Sequence, residues 1–145
     1  MEKVGCEVCA FRNPRATVTA LILKDKKVLL AKRTQEPFLG WWDLIGGYMS
    51  EQEVPEDALR REIKEELSID CGKMELVGFF PGYAEWKGVS NPILSIVYRT
   101  DLSDQKINLS DEILELKWFS REDLPPVAFD SNNKIIEHAK NRGLI

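Results

Sequence analysis

Glu62, Glu65 and Glu66 stand at i, i+3 and i+4. On an α-helix that spacing places all three carboxylates on one face. Like charges so arranged repel and destabilise a helix on its own. A divalent cation makes the same cluster favourable, and Mg²⁺ is the usual partner where phosphates share its coordination sphere. The competing reading is a solvated helix face. Arg61 and Glu65, at i and i+4, would offset part of the repulsion but leave Glu62 facing Glu66. The segment before the helix favours the cation: Gly46-Gly47 permits close backbone approach to a ligand.

The distribution of charge agrees. The 145 residues carry a net charge of -4, and the window Glu51–Glu66 alone holds seven acids against three bases. The remaining 129 residues balance at 17 and 17, while residues 1–35 carry eight bases and three acids. A pI near 5.2 speaks against a general nucleic-acid binder, which needs a basic face. No apolar run is long enough to span a membrane and no signal peptide is evident, so a cytoplasmic, non-membrane protein is expected.

The elements that must position the glutamates can be read from periodicity. Thr17–Leu23 and Lys27–Lys32 are β-branched or apolar runs around Lys24-Asp25-Lys26, which reads as a hairpin of buried strands. Pro55 suits a first helical turn, and Ala58, Leu59, Ile63 and Leu67 then form an apolar stripe. Strands are expected at Glu75–Phe80, Ile93–Thr100 and Leu114–Phe119, and a last helix over Ser131–Asn141. A helix inserted between early and late strands points to an α/β fold, a mixed sheet with helices on its faces. Residues 1–145 read as one domain, with 1–12 a short extension carrying the pair Cys6-Glu7-Val8-Cys9. That pair is half of a zinc ribbon, and the remaining Cys71 and His138 supply no second pair.

From Gly47 the chain runs GYMSEQEVPEDALRREIKEELSI. This resembles the Nudix box: G, five residues, E, seven residues, R-E, an aliphatic, any residue, E-E, any residue, G, an aliphatic. Gly47, Glu53, Arg61, Glu62, Ile63, Glu65, Glu66 and Ile69 fall on its positions, and Ser68 stands where the pattern has glycine. The approach EPFLGWWDLIGG and the downstream Asp111-Glu112, Trp118-Phe119 and Leu124-Pro125 look like the rest of such a domain. The N-terminal part is similar to the zinc-ribbon-bearing members.

The resemblance implies an α/β/α sandwich and a hydrolase acting on phosphoric anhydride bonds. Glu62, Glu65 and Glu66, helped by the Gly47 carbonyl, would hold Mg²⁺, or Mn²⁺ in its place. Arg61 and Glu53 would hold one another and orient the helix, and Glu62 or Glu112 would act as general base. Lys32 and Arg33 would contact phosphates. Trp41 and Trp86 would stack on a base, whereas Trp42 would pack in the core. The expected substrate is a small nucleoside diphosphate linked to another group, of the ADP-ribose, nucleotide-sugar or dinucleotide type, cleaved by a monomer or homodimer. A nucleoside triphosphate pyrophosphatase is the enzymatic alternative, and a non-catalytic nucleotide or ADP-ribose sensor the alternative of another class.

Overall fold

The computed structural model describes residues 7–102 and 104–145. Strand β1 (Arg15–Lys24) turns at Asp25-Lys26 into β2 (Lys27–Arg33). Both turn residues have positive φ, 50° and 60°, the conformation whose twist suits a two-residue hairpin. The hairpin is there, but its direct pairing is confined to Leu23↔Val28 and Lys24↔Lys27. Beyond that point the two strands diverge. After β3 (Trp42–Asp43) and β4 (Ile45–Tyr48) come helix α1 (Pro55–Leu67), the long strands β5 (Glu75–Trp86) and β6 (Val89–Thr100), β7 (Ile113–Ser120) and helix α2 (Asp130–Asn141).

β1 is the hub. It pairs in parallel with β6 from Arg15↔Ile93 to Ile22↔Thr100, and antiparallel with β4 from Thr17↔Tyr48 to Ala20↔Ile45. β2 pairs antiparallel with β7 and β3, and β5 lies outside β6. The mixed sheet therefore follows from one strand serving both hands of the architecture.

Alternation along β1 feeds two cores. Val18, Ala20 and Ile22 pack with Ala58, Leu59, Ile63 and Leu67 of α1, while Leu21 and Leu23 pack with Ile135, Ile136 and Ala139 of α2. The apolar stripe read from the sequence is the buried face of α1. Each fully buried Val, Leu or Ile side chain among them contributes roughly 1.5–3 kcal/mol. Ser68 ends α1 in the left-handed conformation, φ 61°. Its N–H donates to the Lys64 carbonyl at 3.0 Å and its hydroxyl to the Asn108 carbonyl at 3.0 Å. The hydroxyl bond offsets the strain that a Cβ brings to that turn.

The β5–β6 hairpin is longer than the expected strands. Pairing continues through Tyr83↔Pro92 to Trp86↔Val89 around Lys87-Gly88. Two prolines are tolerated because Pro81 lies on the outermost strand and Pro92 lies just beyond the point where β1 begins to pair. Among the described residues, no helix is long and apolar enough to cross a membrane. The Cys6–Cys9 pair falls in part outside the described residues; Cys9 is exposed and receives a long hydrogen bond from Asn13 Nδ2 at 3.9 Å.

Candidate active site

A cleft of about 620 Å³ opens between the C-terminal end of β2, the Gly46-Gly47 strand, the acidic face of α1 and the first turn of α2. Its volume is in the range that takes a nucleotide-sized ligand. Glu62, Glu65, Glu66 and Glu112 all line it, so the helix and a distant loop bring four acids to one cleft.

Glycine leaves the room that Glu62 occupies where it crosses β4. A Cβ on Gly47 would lie 2.5–2.7 Å from the Glu62 carboxyl atoms, and one on Gly46 would lie 2.1 Å from the Val18 carbonyl oxygen. Glu66 is held from beneath by the Gly46 N–H, yet its Oε2 is buried without a partner. Burial, and then the charges of Glu62, Asp43 and Glu112, push the Glu66 carboxyl up to about 9. Burial also raises Glu62, against the lowering effect of Arg61. An orphaned buried oxygen within a mutually repelling acid cluster is what a divalent cation would satisfy, and the donor set is the hard oxygen type that Mg²⁺ or Mn²⁺ takes. Among the described residues, no three of these acids already converge at ligating distance. Arg61 stands between them, its Nη1 2.9 Å from Glu62 Oε1 and 3.3 Å from Glu65 Oε2.

Arg61 is anchored elsewhere. Nε and Nη2 donate to Glu53 Oε2 and Oε1 at 2.7 and 2.9 Å, a two-pronged contact, and Nη2 also reaches the Tyr48 carbonyl at 3.1 Å. Glu53 further accepts the Ser50 N–H at 2.9 Å. Those bonds, with the guanidinium contributing most, lower the Glu53 carboxyl to about 2. The Glu53–Arg61 partnership thus ties the loop after β4 to the helix.

The remaining residues expected in the site divide. Lys32 lines the cleft and makes no ion pair among the described residues; its ammonium lies 5.7 Å from the Trp42 ring centre. Arg33 lines it too, but its guanidinium is engaged in the wall. Nη1 donates to Asp43 Oδ2 at 2.8 Å, Nε donates to the Pro37 carbonyl at 2.9 Å, and the group lies 5.0 Å from the Phe129 ring centre. Through these contacts Arg33 braces the loop after β2 while remaining on the cleft wall. Trp86 lines the cleft, but Trp41 does not; Trp41 packs edge-on to Phe38 at 5.2 Å outside it. Trp41 precedes β3, so its neighbour Trp42 takes the inward position, edge-on to Phe119 at 4.8 Å.

Asp43, Ser131 and Asn132 escape sequence reasoning. Asp43 Oδ1 accepts from Asn132 Nδ2 at 2.6 Å, joining β3 to α2. Burial raises the Asp43 carboxyl to about 6, partly countered by Arg33. The available signal was a lone acid inside the apolar run Trp41–Ile45. Ser131 and Asn132 carried none.

A family model described as NUDIX domain matches residues 13–139, which covers the strands, α1, most of α2 and the acid cluster. The chain belongs to the NUDIX family. An ADP-ribose pyrophosphatase of Methanocaldococcus jannaschii is 33% identical to this NUDIX chain over 127 residues, covering 88% of it and 73% of the relative. An NAD-capped RNA hydrolase NudC of Pseudomonas putida is 29% identical over 126 residues, covering 84% of this chain but only 43% of that protein. The chain thus spans less than half the length of NudC. The NUDIX domain of Shewanella oneidensis NrtR, solved in complex with ADP ribose, shares the fold at a TM-score of 0.73 and 26% identity, covering 96% of this chain and 94% of that one.

Proposed function

We propose that this NUDIX protein is a divalent-metal-dependent pyrophosphohydrolase that cleaves the diphosphate of a nucleoside diphosphate linked to another group, with ADP-ribose the leading member of that class. The orphaned Glu66 oxygen in the acidic cleft carries the reading. It is supported by the names of the M. jannaschii relative and of the NrtR complex.

Glu62, Glu65 and Glu66, with the Gly47 carbonyl, would hold the Mg²⁺ or Mn²⁺. The ion would supply charge neutralisation on the phosphate oxygens and acidify a bound water. Lys32, without an ion pair among the described residues and on the cleft wall, holds the diphosphate. Glu112 carries no side-chain hydrogen bond among the described residues and lies close enough to Glu62 and Glu66 to raise both, so we assign it the proton of the attacking water. Arg61, fixed by Glu53, orients the acids. Trp86 offers an aromatic face to the base.

The test is hydrolysis of ADP-ribose with Mg²⁺, with Mn²⁺ and with chelator, following release of AMP and ribose 5-phosphate. Metal-dependent release, lost in Glu65→Gln and Glu66→Gln proteins that still fold, is the expected result. Full activity in both variants would exclude these residues as ligands, and nucleotide binding without turnover would favour the sensor.

A further inference from the structure

Glu112 reaches the cleft from loop 104–112, a segment without helix or strand that lies between β6 and β7. Its carboxylate makes no hydrogen bond among the described residues, so its aim depends on how the loop backbone is held. Two sets of hydrogen bonds grip that backbone. On the helix side, the Asn108 and Ser110 N–H groups donate to the Leu67 and Glu66 carbonyls, each at 3.0 Å. Those carbonyls belong to the last turn of α1, where no helical N–H is left to reach them. The Ser110 hydroxyl accepts the Glu112 N–H at 3.3 Å, and the Ser110 carbonyl accepts the Ile113 N–H at 3.2 Å. Ser110 thereby links Glu112 to the backbone of Glu66.

The strand side depends on one residue. β2 and β7 slip by one position between Lys32↔Glu115 and Arg33↔Ile113, leaving Leu114 unpaired, and their pairing ends there. A bulge of this kind re-aims the chain beside it. Just beyond it Thr34 donates twice to the loop, its hydroxyl to the Asp111 carbonyl at 2.7 Å and its N–H to the Glu112 carbonyl at 3.4 Å. The hydroxyl bond is much the shorter. With Ser110 as the fixed point, the Asp111-Glu112 unit could swing toward or away from the acid cluster; the Thr34 hydroxyl restrains that swing.

We propose that Thr34 is a positioning residue for Glu112, its hydroxyl holding the Asp111 carbonyl and so setting how far the Glu112 carboxylate stands from the acid cluster. The proposal rests on the assignment of Glu112 to the proton of the attacking water and adds the residue that aims it. A fixed misplacement near 1 Å costs on the order of 10²-fold in rate, and a loosened loop is misplaced for only part of the time, so a loss of ~10-fold is expected.

Thr34→Val keeps the shape of the side chain and deletes the hydroxyl, whereas Thr34→Ser keeps the hydroxyl. With ADP-ribose and Mg²⁺, Thr34→Val should lose ~10-fold in kcat with KM little changed, and Thr34→Ser should restore the rate. In a Glu112→Gln background Thr34→Val should cost nothing further, because a residue acting through Glu112 has nothing left to position. Amide exchange of peptides spanning 104–113, followed by mass spectrometry, should quicken in Thr34→Val while that of α1 does not, and this readout needs no turnover. An equal loss in both backgrounds would reveal a merely structural role, a raised KM would put the hydroxyl on the substrate, and unchanged exchange would mean the loop is held without it. Each of these overturns the positioning while leaving Glu112 as the base. Wild-type kcat in Glu112→Gln overturns the assignment of Glu112 and the positioning with it. Quickened exchange in a protein that does not cleave ADP-ribose supports the grip and places the failure in the proposed function.

Discussion

Replacing Gly47 by alanine separates catalysis from stability. The added Cβ would lie 2.5–2.7 Å from the Glu62 carboxyl atoms, whereas ordinary contact begins at 3.4 Å, so the carboxylate must retreat by about 0.7–0.9 Å. The retreat is easy, because those atoms are the far end of a flexible side chain and Gly47 has no left-handed φ. It also breaks the 2.9 Å contact with Arg61 Nη1. A misplacement near 1 Å costs on the order of 10²-fold in rate, about 2.7 kcal/mol of barrier. Gly47→Ala should therefore lose ~10²-fold in kcat on ADP-ribose with Mg²⁺, while its unfolding free energy stays within ~1 kcal/mol of wild type. Gly46→Ala is the contrast. Its Cβ would meet the Val18 carbonyl at 2.1 Å, a backbone atom in the central strand, so it should lose ~1–3 kcal/mol or more of stability. Steady-state kinetics and urea melts of the two variants check both halves. Gly47→Ala with more than half the wild-type kcat, or as destabilised as Gly46→Ala, would refute the reasoning.

The same geometry supports other expectations. In metal-free protein the Glu66 carboxyl stands at about 9 against an ordinary 4.5, so the folded state holds the extra proton between those values. Its contribution is complete below about pH 4.5 and is lost as the pH rises through 9; Tm should fall across that window, and Glu66→Gln should flatten the fall. Adding Mg²⁺ should raise Tm at pH 8 in the wild type but not in that variant. Glu53 has the opposite sign. Its lowered carboxyl contributes stability above its ordinary 4.5 and loses it as the pH falls to about 2, so Glu53→Gln should lower Tm at pH 7 and make no difference at pH 2. At Ser68, alanine keeps the strained left-handed turn and loses the bond to Asn108, costing ~1 kcal/mol. Glycine there relieves the strain as it loses the bond and should stay within ~1 kcal/mol of wild type in denaturant melts.

Local pattern made α1 legible. Its start at Pro55, its buried stripe and its acid face are all set within one helix of sequence, and the structure keeps each of them. The partners of β1 were not legible: alternation in TVTALIL announces a strand, but nothing local says that it leaves β2 after two pairs to lie beside Ile93–Thr100. The expected strands Glu75–Phe80 and Ile93–Thr100 stop just short of Pro81 and Pro92, residues that pair within β5 and β6 because proline is tolerated where a strand is outermost. The site follows the same division. The box acids and the Glu53–Arg61 contact lie within 14 residues of one another, while Asp43, Ser131 and Asn132 meet the cleft only because α2 folds back across 89 residues of chain to reach β3. The surroundings of Arg33 and Trp42 were not legible either, because which side of a strand end faces a cavity depends on a neighbour, Asp43 in one case and Phe119 in the other.

The guanidinium of Arg61 has two different grips. On one side it is clamped by both oxygens of Glu53 and by the Tyr48 carbonyl; on the other, a single nitrogen spans Glu62 and Glu65. It is a resident counterion. If Glu62 and Glu65 are the ligands proposed above, a chain in metal-poor surroundings could close its acid cluster around this arginine and finish folding, and would then trade that one nitrogen for a cation without releasing the clamp. On that proposal, affinity for the cation would be a difference between two occupants. Neutralising Glu53, whose two carboxylate oxygens are both engaged by Arg61, should therefore change how tightly the ion is held.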